Sequence, residues 1–407
     1  MPPVMRTCPV RVAFMALAWS LGGWGLHAAS AQTAAELFEP ETVQDLHLFM
    51  NEGDLKELRD RYQENVYFPA DLEWGDVKVA SVGVRSRGLS SRNAAKPGLR
   101  VDFNRYVSGQ RFLGLASIAL DNLVSDPSMI RERVAMALFS RLGQPVPREA
   151  FARLYVNNVF QGLYAIIEAV DGDFLERTFQ QRSGYLFERR FNGVYRGQDL
   201  GSDPAAYRNV FEPKNHELEA DTVLYSPIRE LFHEANQPVD TMWRERVGRY
   251  IDLAQLVTHV AIETFLSESD GVLGYAGMAN FYLYRSASSE RHQLIVWDKD
   301  RAFNAIDSTI FLRASENVLL SRALAFDDLR TLYLDTLGRC AKLASDGAWL
   351  ENEVGRAATL IEASAFADTV KPYTNNAVQA ASEFLRRFAR ERSAFVLEDI
   401  ARARRAQ

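Results

Sequence analysis

The chain has 407 residues, 47% hydrophobic and 25% charged, the profile of a folded globular protein built as one two-lobed unit or two domains. Its formal charge of −6 describes a mildly acidic body, which argues against nucleic acid as a partner because that would call for a basic face. Two cysteines and scattered histidines do not supply the usual zinc ligand set.

Residues 1–31 read as an export signal. Arg6 and Arg11 make a basic start, an apolar run from Val12 to Leu26 follows, and Ala29-Ser30-Ala31 is a small-x-small cleavage site. Cleavage would start the mature chain at Gln32 and, by removing Arg6 and Arg11, take the charge from −6 to −8. The run is short for a membrane span, which needs about 20 residues, so no stable span is expected in the mature form. Cys8 precedes the apolar run instead of closing it, against a lipoprotein. Cys340 then stands alone among Leu334, Leu337 and Leu343 and reads as a buried core thiol without a disulfide.

Leu46, Phe49, Leu55 and Leu58 sit at mixed helical spacing, which predicts one or two helices before the first strands. Val77–Val79, Val82–Val84 and Leu99-Val101-Phe103 alternate with polar residues, as strands with one buried face do. Between them, Arg85 to Gly98 holds small hydroxyls, a glycine and four basic residues. Two readings stay open there: a solvated hairpin loop, or a connection that covers phosphates with N–H groups and charge. Asp126-Pro127 predicts a helix start, with Ile130, Val134, Leu138 and Leu142 as its buried stripe and Gly143 at its end. Two strands, Phe151–Val156 and Val159–Ile167, are joined at Asn157-Asn158, a pair suited to a tight turn.

The pattern turns from strand to helix after Glu168-Ala-Val-Asp171, the expected boundary between an N-lobe of about 36–170 and a C-lobe of about 171–407. Residues 184–217, rich in Gly, Arg and Asn, read as a surface insertion. Asp252 caps a clear helix carrying Leu253, Leu256, Val257 and Val260 on one face and running into Phe265-Leu266. Helices are expected again at about 318–345, 348–365 and 376–404, the last with a solvated charged face that includes Arg392.

Between these helices lies the stretch with the most chemistry. Asp270 sits in a loop, Asn280 opens an aromatic strand (Phe281 to Tyr284), and a second strand (Leu294 to Trp297) leads into Asp298-Lys299-Asp300. A hairpin brings its outer ends together, so Asn280 and Asp298 should meet with Asp270 beside them. Carboxylate and amide oxygens suit a hard cation such as Mg2+, which usually comes with phosphates. A sheet-rich lobe with one helix, then a helical lobe, then Asp, Asn, hairpin and Asp is also the order of parts in a protein kinase. The familiar His-Arg-Asp, Asp-Phe-Gly and Gly-x-Gly-x-x-Gly sequences are absent.

The chain resembles the CotH (spore coat protein H) family of atypical secreted kinases. The resemblance rests on Arg87-Gly-Leu-Ser-Ser, Lys96-Pro-Gly-Leu-Arg-Val-Asp-Phe, Met129-Ile-Arg-Glu, Pro145-Val-Pro-Arg and the run from Leu154 to Glu168. Asp270-Gly, Asn280-Phe-Tyr-Leu-Tyr and Trp297-Asp-Lys-Asp complete it. It implies an α+β, divergent protein-kinase-like two-lobe fold, with a β-rich N-lobe and a helical C-lobe, that uses ATP and Mg2+ (or Mn2+) to phosphorylate Ser or Thr on exported proteins. By resemblance Asp270 is the catalytic Asp, Asp298 and Asn280 are metal ligands, and Asp300 is a further carboxylate facing the same side if the strand persists. Lys96 is the phosphate-binding lysine with Arg87 as helper, Glu132 pairs with Lys96, and Glu168 near the hinge is either a cofactor contact or a structural salt bridge. The competing expectation is a non-catalytic pseudokinase or envelope scaffold, motivated by the scarcity of ATP outside the cytoplasm.

Overall fold

A computed structural model describes residues 32–406. The expected signal segment lies outside the described residues. Alternating burial organises the first half of the chain. Strands β1 (Val43–Phe49), β2 (Phe68–Trp74), β3 (Val77–Arg87), β4 (Gly98–Asp102), β5 (Ser117–Asp121), β6 (Glu149–Val156) and β7 (Val159–Glu168) close into a barrel in the order β1-β2-β3-β4-β5-β7-β6. Neighbours are antiparallel except β1 and β6, whose parallel pairing closes the ring. The barrel interior is filled by one face of each strand, including the fully buried Leu46, Leu48, Val82, Val84 and Val101. The short helices α1 (Ala34–Leu37) and α2 (Glu52–Asp60) flank β1.

Three expectations change here. Leu46 and Phe49 belong to β1, not to a helix, because Gln44, Leu46 and Leu48 bury on a period of two. Val77–Val79 and Val82–Val84 form one strand, interrupted only by Ser81 in the left-handed region (φ 56°). The helix read from Asp126-Pro127 begins four residues later, as α3 (Arg131–Arg141). Asp126 still organises its entry, since its carboxylate accepts from the N–H groups of Ser128, Ile130 and Arg131 at 2.8–2.9 Å.

After α4 (Gly172–Phe179) the chain forms a second sheet from β8 (Tyr185–Arg189), β9 (Phe211–Pro213), β10 (Phe281–Arg285) and β11 (His292–Val296), ordered β11-β10-β8-β9. Residues 184–217 are therefore not a surface insertion: they supply two strands and bury Tyr195, Tyr207 and Phe211 against Phe232. The glycines and arginines there mask three aromatic anchors spaced too irregularly to show a period.

Around this sheet lie α5 (Asp221–Asn236), α6 (Trp243–Gly248), α7 (Leu253–Phe265), α8 (Val318–Ala323), α9 (Asp327–Ser345), α10 (Trp349–Ala367) and α11 (Asn375–Arg405). The protein is thus mixed α+β, with a β-rich N-terminal region and a helical C-terminal region. Among the described residues no helix is long and apolar enough to cross a membrane. Cys340 is fully buried in α9, as its apolar neighbours imply. Arg392 is not on a solvated face. It is wholly buried and donates to the carbonyls of Thr264, Phe265, Ile306 and Ser308, tying α11 to the end of α7.

Candidate active site

The end of α7 sets the position of everything that follows it. Asp252 caps the helix by accepting from the Gln255 N–H, and about three turns on Glu263 lies buried on the final turn. Its carboxylate meets His259 at 3.2 Å and the Lys299 ammonium at 2.9 Å, and accepts from the Val272 N–H at 2.8 Å. Burial alone would raise the Glu263 pKa, but Lys299 and His259 hold it down at about 2, so it stays ionised. Lys299 also donates to the Asn280 carbonyl at 2.8 Å. One buried acid therefore ties helix, loop and hairpin together. Gly271 is required beside it, because a Cβ there would lie 2.5 Å from the Glu263 carboxylate.

Residues 271–279 are apolar because they are core: Val272, Leu273, Ala276, Met278 and Ala279 are all buried. The Met278 N–H donates to the Tyr195 carbonyl at 2.7 Å. The long segment thus packs away from the cleft and leaves Asp270 at its mouth. The Asp270 N–H donates to Glu268 at 2.7 Å, and its carboxylate accepts from the Asn280 amide at 3.2 Å.

In the hairpin, Phe281 pairs with Val296, so Asn280 and Asp298 lie just past the last rungs on either strand. Both have left-handed backbone, φ 55° and 51°, which turns the chain out of the ladder there. β11 ends at Val296, so Asp300 does not reach the site by strand alternation. It nevertheless lies close enough to Asp298 for that carboxylate to raise its pKa, while Asp298 is itself raised by Asp121 and Asp270. Burial is the larger cause for both carboxyls, and Asp300 is pushed up to about 9. The Asp270 carboxyl is likewise raised, first by burial, with Lys299 opposing.

Of these groups, Asn280 and Asp298 line a cleft of 450 Å³ between the barrel and the second sheet, within the range of small-molecule sites, with Asp270 bonded to Asn280 beside it. Its apolar surfaces are Ile118 and Ala119 from β5, Val170 from the connecting segment, and Phe281, Tyr282 and Trp297. The lining also carries seven basic residues against four acidic ones, an excess that suits a polyanion. Arg87 is the basic residue set closest to the acids. Its guanidinium lies over the Trp297 ring at 5.7 Å and reaches Asp121 at 3.5 Å.

Three expected site residues are placed differently. The Lys96 ammonium does not enter the cleft and does not pair with Glu132. It is completely buried, bonded to Asp368 at 2.7 Å and to the Leu163 carbonyl at 2.8 Å, with the Tyr164 ring alongside. Glu168 is the structural salt bridge: Arg148 at 2.8 Å and Arg177 at 2.6 Å occupy it, and it does not line the cleft. Glu132 is buried among Glu149, Asp298, Asp121 and Asp300, and that burial, followed by those charges, raises its pKa well above the usual range. Asp121 and Glu149 were not foreseen. The only sequence signal for Asp121 is the apolar run Ile118-Ala-Leu120 that ends on it.

The donor set fits a hard divalent cation. Asp298 and Asp300 are buried oxygen donors whose cationic neighbours, Arg87 and Lys299 for the first and Arg301 at 3.9 Å for the second, do not offset burial and the nearby acids, and a buried carboxylate of that kind holds either a proton or a cation. Among the described residues no three His, Cys, Asp or Glu side chains converge closely enough to hold an ion unaided. Mg2+ does not need that, since it is commonly bound by one or two carboxylates with phosphate oxygens and water completing its shell.

A family model described as CotH kinase protein matches residues 84–396. The chain is 24% identical over 258 residues to the inner spore coat protein H of Bacillus subtilis (strain 168), a match that covers 62% of this chain and 67% of that protein. Among solved structures it is similar to the Helicobacter pylori proinflammatory kinase CtkA, with a TM-score of 0.31 and 13% identity over 78% of this chain and 93% of that one. A structural likeness of that size adds nothing to the family match.

Proposed function

This chain belongs to the CotH kinase protein family, and on that premise we propose that it is an exported kinase, secreted or periplasmic. It transfers the γ-phosphoryl group of ATP, with Mg2+ or Mn2+, to Ser or Thr hydroxyls of extracytoplasmic proteins. The observation that carries the reading is that Asn280 and Asp298 line a basic cleft of nucleotide size while Asp270 is bonded to Asn280 and acts on Asp298.

In this reading the acceptor oxygen bonds to the γ-phosphorus as the bond to the β-phosphate oxygen breaks, ADP leaves, and Asp270 takes the hydroxyl proton. Asn280 grips one oxygen of the Asp270 carboxylate and so fixes its direction. Asp298, Asn280 and Asp300 offer oxygens to Mg2+, which when bound neutralises charge on the phosphates. Arg87, braced on Trp297, faces the phosphates in the place expected of Lys96. Ile118, Ala119 and Val170 give the base an apolar slot. Little covalent help is needed, because phosphoryl transfer depends on positioning and charge.

The test is a labelled-ATP assay with Mg2+ and with Mn2+ on the exported chain, using exported proteins as acceptors and mass spectrometry to read an added phosphoryl group. Asp270→Asn should abolish transfer while ATP still raises the melting temperature, and Asp298→Ala should lose both. A protein that transfers nothing and shows no thermal response to any nucleotide and metal would be a pseudokinase or envelope scaffold.

A further inference from the structure

Behind the Asp298 end of the cleft, four separate elements direct acids toward one small cavity. Asp121 comes from the end of β5, Glu132 from the first turn of α3, Glu149 from the start of β6, and Asp300 from the segment after β11. The cavity has a volume of about 10 Å³, room for one water-sized particle. Of the other two charged residues around it, Asp126 is already occupied by three backbone N–H groups, and Arg133, 4.0 Å from Glu353, also acts on Glu149 but only partly offsets its burial. Asp121 accepts from the Leu123 N–H at 2.8 Å on one oxygen, and its other oxygen has a long ion-pair contact, to Arg87 at 3.5 Å.

A second observation points to a missing occupant. Glu149, 8% exposed, lines this cavity, and its buried Oε1 has no hydrogen-bond partner. An unsatisfied buried carboxylate oxygen among other acids is costly unless something positive joins it. The lysine expected to neutralise Glu132 is held by Asp368 instead.

We infer that Asp121, Glu132 and Asp300 form a second divalent-cation site, with the free Glu149 oxygen receiving the ion's water, and that it fills before nucleotide binds. The inference rests on the kinase reading for the identity of the ion, Mg2+ or Mn2+, and extends it by making Glu132 a metal ligand and not a lysine's partner. Several carboxylates around a space for one particle favour a small, doubly charged, hard cation. Among the described residues no three acids stand at bonding distance from a common point, so the ion must draw its ligands together as it displaces their protons. Because the ligands come from the barrel, α3 and the hairpin end, the ion also fastens Asp300 to the barrel side.

Mn2+ alone is the probe, followed by the loss of the free-ion electron paramagnetic resonance signal when the full exported chain is added without nucleotide. One ion should bind per chain. Glu132→Gln and Asp300→Asn should each weaken binding about 10- to 100-fold. Both should also melt no lower than wild type in the absence of metal, because each replaces an acid that burial keeps protonated with a neutral amide of the same shape, and both should lose the Mn2+-induced rise in melting temperature. Absence of nucleotide-free binding overturns the inference, as does wild-type affinity in both variants. Binding that only Asp298→Ala removes assigns the ion to the cleft and overturns it too. Asp270→Asn separates the two readings, since it should lose transfer with the nucleotide-free ion retained. Transfer by a chain that binds no ion without nucleotide sinks this site alone, and binding without transfer sinks the kinase reading alone.

Discussion

Lys96→Met tests whether a lysine in the family motif serves the phosphates or the fold. The substitution keeps most of the side-chain volume and removes the charge, leaving Asp368 buried without its cation. Breaking a buried ion pair from one side costs about 3–5 kcal/mol. Asp368 retains the N–H groups of Leu163 at 3.0 Å, Val370 at 3.0 Å and Lys371 at 2.9 Å, which places the cost at the lower end. Unfolding entropy of ~2.1 cal/mol/K per residue gives roughly 0.8 kcal/mol/K for a chain of this size, so about 3 kcal/mol lowers the melting temperature by about 4 °C. Calorimetry or thermal fluorescence reads that shift. Phosphate transfer assayed well below the transition should change kcat/KM for ATP by less than about threefold, against the 10²–10³-fold typical of losing a transition-state contact. Asp368→Asn on top of Lys96→Met should recover part of the lost stability, because neither partner is then charged. An unchanged melting temperature with a hundredfold loss in kcat/KM would show that Lys96 reaches the phosphates and refute the assignment.

Arg87→Gln should raise KM for ATP about tenfold or more with kcat changed much less, since a charge-assisted hydrogen bond contributes about 1.5–3 kcal/mol; steady-state kinetics at varied ATP reads this, and an unchanged KM would remove Arg87 from the phosphate site. The acidic cluster predicts a pH dependence in metal-free solution. Burial raises Glu149 to about 7 and Asp300 to about 9, so between the ordinary carboxylate range and those values the folded state holds protons that the unfolded chain has released. Stability should therefore fall as pH rises from about 5 to about 9, and Mn2+ should flatten the fall. Melts across that range in chelator, with Asp300→Asn as the comparison, check the sign, and a profile that rises with pH would contradict it.

How much was legible from residues alone depended on how local the determinant is. The alternation in β3 and β4, the two strands joined at the Asn157-Asn158 turn, the Asp252 cap and the hairpin from Phe281 to Val296 are short-range patterns, and each produces its element. The meeting of Asp270, Asn280 and Asp298 follows from the same locality: a hairpin joins its own ends, and α7 runs directly into the loop beside them. Where pattern and environment disagreed, environment won. Leu46 looked helical by spacing but pairs with Leu154 of β6 in a strand that β2 flanks on its other side, and the Gly- and Arg-rich 184–217 segment is held as sheet by aromatic residues packing on Phe232.

Residue spacing determined which elements form and which hairpin carries the acids. It did not determine which charge meets which. Lys96 finds its carboxylate 272 residues away, after four more strands of the barrel and the helical region have packed around it, and Glu132 is left with acids from β5, β6 and the hairpin end. The reason is physical: an element's periodicity states which face is buried, whereas the partner of a buried charge is whatever distant element packs onto that face, and only the tertiary structure decides that.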